Sequence, residues 1–228
     1  MASAIAEMFN RIAPHYDGLN HLLSLNIDKC WRRRALRNRL YQPTGRVLDV
    51  ACGTADFSIA LIKAGAEKVE GVDISEEMLA VGRRKVAGHG LADKISLSLA
   101  DVAALDYADS AFDMVAVSFG VRNFQQRMAG LREMFRVTKQ GGKLVVLEFS
   151  MPQKQPVKAL YHFYFKKVLP WVGGLFSGER KAYDYLPASV VAFPAAADFC
   201  NELREAGFRQ VTSETYTFGI ATVYYANK

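Results

Sequence analysis

Ten residues, Val47-Leu48-Asp49-Val50-Ala51-Cys52-Gly53-Thr54-Ala55-Asp56, constrain the fold of this chain more than any others. A short apolar run stops on a turn of small residues, and one acid, Asp49, stands inside the end of the run. Arg46 to Ala51 reads as a buried parallel strand and Asp56 to Ala64 as the helix that follows it. Gly65-Ala66-Glu67-Lys68-Val69-Glu70-Gly71-Val72-Asp73 then gives a second apolar run ending in an acid. Asp73 lies 20 residues past Gly53, at the tip of that next strand. The spacing is close to the ~20 residues at which a carboxylate meets a ribose hydroxyl in a nucleotide-binding strand–helix–strand unit. Small residues let the backbone approach a ligand, and the helix N-terminus offers unpaired N–H groups.

The choice of ligand turns on Asp49. A pyrophosphate wants a glycine-rich G-x-G-x-x-G turn, which is absent, and an acid beside the turn is a poor neighbour for phosphate. The acid suits a ligand carrying an ammonium group. S-adenosyl-L-methionine (SAM) has an amino acid end, a sulfonium and a ribose, and no phosphate. The segment resembles motif I of class I SAM-dependent methyltransferases, usually D-x-G-x-G-x-G. Asp49 and Gly53 keep that pattern, while Ala51 and Ala55 replace its outer glycines. On this segment alone, an ordinary strand–turn–helix of another α/β protein remains an alternative.

Short apolar runs continue to alternate with helical patterns. Ile95 to Ala100, Phe112 to Ser118 and Gly142 to Ser150 read as strands. Ser75 to Ala87 and Gln125 to Val137 read as helices, the second ended by Lys139-Gln140-Gly141-Gly142. Ala195 to Ala206 reads as a helix stopped by Gly207, and Arg209 to Thr217 and Ile220 to Asn227 alternate as an antiparallel pair. The expected fold is α/β: a doubly wound, seven-stranded, mainly parallel sheet with a C-terminal antiparallel hairpin and a helical cap, the class I methyltransferase architecture. A single domain is expected. Residues 1–44 form N-terminal helices over the active site, 45–150 the SAM-binding core, 151–193 an inserted aromatic cap and 194–228 the last helix and hairpin.

Half of the 228 residues are hydrophobic, enough for a sizeable packed core and against disorder. No apolar run is long enough to span a bilayer, and the first residues do not read as a secretory leader. Cys30, Cys52 and Cys200 are scattered, which argues against disulfides and a zinc site and fits a cytoplasmic protein; no metal is expected. Cys52 sits in the ligand turn as a small residue rather than a nucleophile. The formal charge of +6 is concentrated partly in Trp31-Arg32-Arg33-Arg34-Ala35-Leu36-Arg37-Asn38-Arg39. That run could meet phosphates of nucleic acid or of an anionic lipid surface, or it is a solvated helix face with Trp31, Leu36 and Leu40 turned inward. Val157 to Leu169, apolar almost all round, must be buried, cover an apolar ligand or rest on a membrane surface.

Outlying motifs narrow the reading. Tyr16-Asp17-Gly18-Leu19-Asn20-His21-Leu22-Leu23-Ser24, with Trp31 behind it, resembles the first signature of the ubiquinone/menaquinone biosynthesis C-methyltransferase family: Tyr-Asp-x-Met-Asn, a serine, then His-x-x-Trp. Leu19 stands for the methionine and Asp28 for the histidine, so no role of that histidine carries over. Arg136 to Ser150 resembles the second signature, with Gln140 for its proline and Thr138 for an aliphatic residue. Ser118-Phe119-Gly120-Val121-Arg122-Asn123 resembles the family's Ser-Phe-Gly-x-Arg-Asn segment, and Tyr185-Leu186-Pro187 and Ala192-Phe193-Pro194 resemble its cap.

The resemblance implies SAM-dependent methylation of a ring carbon of a polyprenylated hydroquinone, with demethylmenaquinol preferred over the ubiquinol precursor. Its positions place Thr54 in the SAM turn, Asp73 on the ribose, Asp101 and Val102 beside the adenine and Ser118 near the methionine end, joining Asp49 and Gly53 from motif I. For the substrate it offers Tyr16, Asp17, Asn20, Arg122, Asn123 and His162. Arg122 is expected to stabilise a phenolate, with a salt bridge to a helix acid as its alternative, and Tyr16, Asp17 and Asn123 complete the catalytic group. A quinol partner, peripheral contact with the inner membrane face and a homodimer are expected, and no nucleic acid. RNA methylation, another small-molecule acceptor and a non-catalytic SAM-binding subunit stay open as rivals.

Overall fold

The computed structural model describes residues 4–18, Ser24, 26–163 and 180–228, apart from the side chains of His15, His162 and 180–184. Ahead of the sheet stand helices α1 (Ala4–Ile12) and α2 (Ile27–Ala35). Then follow β1 (Arg46–Val50), α3 (Asp56–Ala64), β2 (Lys68–Asp73), α4 (Glu76–Gly88), β3 (Ile95–Leu99) and β4 (Phe112–Ser118). The chain continues with α5 (Arg127–Val137), β5 (Thr138–Phe149), α6 (Val157–Phe163) and α7 (Arg180–Ala192). It closes with α8 (Ala196–Glu205), β6 (Arg209–Tyr216) and β7 (Ala221–Asn227).

The seven strands lie in the order β3-β2-β1-β4-β5-β7-β6. The pairings from β3 across to β5 are parallel, and β7 runs antiparallel to both β5 and β6. Alternation along each central strand feeds two cores. Val47, Ala116 and Val145 face Trp31, Phe57 and Leu61, whereas Leu48, Val115 and Val146 face Leu131, Phe199 and Leu203. The period of two in the strands thus decides which helices cover which face. Strand order reverses between β1 and its neighbours β2 and β4, so a crevice opens beyond the carboxyl ends of these strands, where ligands of open α/β sheets bind. Over that end Ile12 and Ala13 pack on Met78 of α4 and Tyr161 of α6.

Several boundaries differ from the sequence reading. Helix α5 ends at Val137 without the expected glycine stop, because Thr138 pairs at once with Phe112 and β5 begins there. Gly141 (φ +73°) belongs to that strand and donates its N–H to the Lys228 carbonyl at 3.0 Å. Leu40 is 76 % exposed rather than turned inward, since the helical run stops at Ala35, ahead of it. Nor is the arginine run a uniformly solvated face: Arg32 is partly buried against the sheet end, while Arg34 pairs outside with Glu214. Helices α6 and α7 fall within the 151–193 segment read as a cap; residues 164–179, including Phe165 and Trp171, lie outside the described residues, as does Asn20.

The turn after β1 shows how alanine serves where glycine is usual. Ala51 (φ 52°), Gly53 (φ 54°) and Ala55 (φ 66°) are all left-handed, a conformation that costs an ordinary residue roughly 1–2 kcal/mol. Glycines elsewhere make room for the side chains this turn carries. A Cβ on Gly120 would sit 2.6 Å from Ala51 Cβ, and one on Gly71 would sit 2.9 Å from Cys52 Sγ. On Gly82 it would lie 3.3 Å from the Thr54 carbonyl carbon. Gly120→Ala is therefore expected to destabilise by roughly 1–3 kcal/mol through overpacking. Ala51→Gly, which removes the opposing methyl, should return at least half of that loss in the double variant. Denaturant titration of the four proteins measures it; strictly additive effects would show that the two positions do not press on one another.

Candidate active site

The crevice is a pocket enclosing about 1120 Å³ of space, part of it open to solvent. Its floor is the Asp49–Asp56 turn with Asp73, Asp101, Val102, Ser118 and Asn123; Ile5, Phe9, Tyr16 and Asp17 of the N-terminal segment close it above. Of the residues expected to bind SAM, all seven line it: Asp49, Gly53, Thr54, Asp73, Asp101, Val102 and Ser118.

Asp49 is the chemically exceptional one. It is 1 % exposed, and its Oδ2 accepts the Ser58 hydroxyl at 2.5 Å. Its Oδ1 is buried without a partner among the described residues. Burial pushes this carboxyl up to about 7; the Ser58 bond and the Arg32 charge oppose the shift and Asp73 adds to it. A buried carboxylate oxygen facing a ligand pocket with nothing to bond is an acceptor waiting for a donor. Asp73 is tied differently. Its Oδ2 accepts the Gly53 N–H at 2.8 Å and its Oδ1 the Ser75 N–H at 2.9 Å, fixing the turn to the tip of β2. Burial raises its pKa while those N–H groups hold it down. Its oxygens keep lone pairs for two hydroxyls. Ala55 caps α3 without a side-chain hydrogen bond, which leaves the helix start to the pocket.

The N-terminal segment is fastened to this floor by charge. Thr54 Oγ1 donates to Asp17, and Lys85 forms an ion pair with Asp17 and another with Asp56 at 2.7 Å. Asp17 and Tyr16 thus lie over the pocket as anticipated. Asp101 is exposed at the rim, accepting the Ala103 N–H at 2.9 Å. Ser118 Oγ accepts from Arg32 Nε at 3.2 Å.

Arg122 is where the sequence reading needs correction. Its side chain is 5 % exposed and does not line the pocket. Nη1 pairs with Glu148 Oε1 at 2.8 Å and also donates to the Phe119 carbonyl. Glu148 is fully buried and also accepts the N–H groups of Arg122 and Phe149. A guanidinium so paired holds the 119–123 turn in shape, set back from the pocket wall, and its Nε is buried without a hydrogen-bond partner among the described residues. Asn123, beside it, does line the pocket, and Tyr185 of α7 donates its hydroxyl to Asn123 Oδ1 at 2.9 Å. Desolvation raises the Tyr185 pKa, so it stays a neutral donor. Sequence reasoning passed over Arg32, Lys85, Glu148 and Tyr185 as site residues. The one available signal was the Asp28–Arg32 spacing, which brings acid and base together on one helix face. His162 lies on α6, but its side chain is outside the described residues.

The donor set fits SAM: a bare carboxylate oxygen for an ammonium, a second carboxylate for a ribose, and no phosphate cradle. Comparison with known proteins agrees. The profile of the ubiE/COQ5 methyltransferase family matches residues 2–228. The "Ubiquinone/menaquinone biosynthesis C-methyltransferase UbiE" of Geotalea daltonii is 46 % identical over 226 residues, covering 98 % of this chain and 96 % of that protein. The "Demethylmenaquinone methyltransferase" of Bacteroides fragilis (strain ATCC 25285) is 45 % identical over 226 residues, with 98 % and 92 % covered. Among solved structures, a SAM-dependent methyltransferase of Thermotoga maritima, described as a possible histamine N-methyltransferase, superposes with a TM-score of 0.68. At 19 % identity over 97 % of this chain and 99 % of that one, it speaks for the fold alone.

Because the folded state holds the Asp49 proton more tightly than the unfolded chain, Asp49 costs stability as pH rises. Its contribution is greatest below pH ~4, declines toward 7 and is flat above. Asp49→Asn should abolish that decline and stabilise the ligand-free protein at pH 8 by roughly 1–3 kcal/mol, the cost of an unpaired buried polar atom. The same change should weaken SAM binding. Denaturant titrations from pH 4 to 8 and calorimetry check both halves; equal pH slopes in the two proteins would contradict the assignment.

Proposed function

Since this chain belongs to the ubiE/COQ5 methyltransferase family, and is thus a SAM-dependent C-methyltransferase of quinone biosynthesis, we propose that its acceptor is demethylmenaquinol, which it converts to menaquinol. The observation that carries the reading is the division of the pocket: acids at the end of β1 and β2, aromatic and aliphatic side chains opposite. Phe9, Phe119 and Phe124 face the same space as Asp49 and Asp73. A flat ring slots between apolar walls, while a nucleotide-like donor lies along the acids.

When bound, SAM supplies a methyl group to a carbon nucleophile. The chain's own residues prepare that nucleophile. Asn123, oriented by Tyr185, presents its amide N–H to the ring oxygen next to the reacting carbon. Charge gathers on that oxygen as its proton leaves for water, and a fixed donor there lowers the barrier. Once carbon bonds to methyl, the ring carbon gives up its hydrogen as a proton and the oxygen is reprotonated, with one proton released overall. Arg122 and Glu148 act together as a positioning pair, holding the turn that aims Asn123. Tyr16 and Asp17 keep the reactants close and water out. Asp49, Gly53, Thr54, Asp73, Asp101, Val102 and Ser118 hold the donor.

Among the described residues no helix is long and apolar enough to cross a membrane. Leu160 and Phe163 on α6 are exposed, at 68 % and 58 %. We place the isoprenoid tail and peripheral contact with the membrane surface on that side of the cap.

Incubation with labelled SAM and chemically reduced quinols, followed by mass analysis of the lipid, tests the proposal. Demethylmenaquinol should gain one methyl; label only in the ubiquinol precursor would move the assignment to that substrate, and label in neither would refute it. Tyr185→Phe should lower kcat by about 10-fold while leaving SAM affinity unchanged, because it frees the Asn123 amide to turn. Full turnover in that variant would remove Asn123 from the proposed role.

A further inference from the structure

A zwitterionic amino acid end needs a cation as well as Asp49. Among the described residues, Arg32 is the one cationic side chain that lines the pocket. It comes from α2, outside the nucleotide-binding core, and from the very run that reads in sequence as a solvated or phosphate-seeking face. Its side chain is 12 % exposed. Nε donates to Ser118 Oγ at 3.2 Å and Nη1 to Asp28 Oδ2 at 2.5 Å, with Asp56 Oδ2 at 3.8 Å. The ring of Phe119 lies 5.3 Å below the guanidinium carbon. Two edges of the guanidinium are thus fixed, and Nη2 makes no hydrogen bond among the described residues.

We propose that Arg32 receives the carboxylate of SAM through Nη2, while Asp49 takes the ammonium. The inference rests on the SAM-binding reading above and adds a residue to it. Ser118 then acts indirectly, as the acceptor that fixes the Arg32 fork, rather than as the main contact to the amino acid end. Asp28 has the complementary task. Buried on α2, it also accepts the Ser24 hydroxyl at 2.7 Å, so it is a rigid anchor for Nη1.

Electrostatics agree. Asp17, Asp28, Asp49, Asp56 and Asp73 stand around the site against Arg32 and Lys85, and Lys85 is committed to Asp17 and Asp56. An acid excess suits a ligand with sulfonium and ammonium charges. It also means that the ligand's single carboxylate is tolerated only at the cation facing the pocket. A planar fork already held at two nitrogens loses little entropy on binding it.

Calorimetry with two probes isolates the carboxylate: SAM, and decarboxylated SAM, which keeps the sulfonium and the amine. Wild type should prefer SAM by at least about 10-fold, the value of a charge-assisted hydrogen bond. Arg32→Met should lose that factor for SAM alone, leaving affinity for the decarboxylated probe within about two-fold, so the preference collapses. Arg32→Met takes the Arg32 charge away from buried Asp28, so Asp28→Asn/Arg32→Met, which removes both charges, is measured beside it and should show the same collapse. Equal losses for both probes, or an intact preference in the double variant, would overturn the assignment. Wild type that binds neither probe would instead overturn the SAM-binding reading beneath it.

Discussion

The site is organised by a single unpaid cost, the Asp49 carboxylate set at the end of a strand buried on both faces. One oxygen is satisfied by Ser58 and the other by nothing among the described residues. Such a group weakens the ligand-free fold, and it persists because a ligand can complete it. Neighbouring features follow from that choice. Asp73 accepts the Gly53 and Ser75 amides and so ties the turn to the tip of β2. Arg32 lies near enough to temper the acid without pairing with it.

The second organising element is the exchange of methyl groups between the turn and its surroundings. Motif I usually carries three glycines; here two are alanines in left-handed conformations. Room for the turn comes from Gly71 and Gly120, where a Cβ would collide with it, and from Gly82, where a Cβ would press tightly on it. The turn therefore packs closely on β2, α4 and the 119–123 segment, with fewer unfolded conformations to lose than an all-glycine turn.

Much of this was legible in the sequence because it is periodic or local. The strands alternate, α3 spans the expected residues, and Ser75 caps α4 by accepting the Met78 N–H. The acids at strand tips followed from spacing alone. What could not be read depends on side chains meeting from distant parts of the chain. For Arg122 a salt bridge to a helix acid was the alternative to a ligand role, and nothing local reveals that its partner is Glu148, 26 residues away on β5. Arg32 looked like one of several surface arginines because only the fold brings α2 against Ser118, 86 residues on. The strand expected from Gly142 starts at Thr138, directly after the helix, because Thr138 pairs with Phe112.

The central claim is that Asp49 exists to bind the ammonium of an amino acid-bearing nucleoside. A crystal structure of the complex with S-adenosylhomocysteine tests it most directly. The amino nitrogen should lie within hydrogen-bonding distance of Asp49 Oδ1, and both ribose hydroxyls should rest on Asp73. An amino acid end lying elsewhere, with Asp49 Oδ1 still bare, would contradict it.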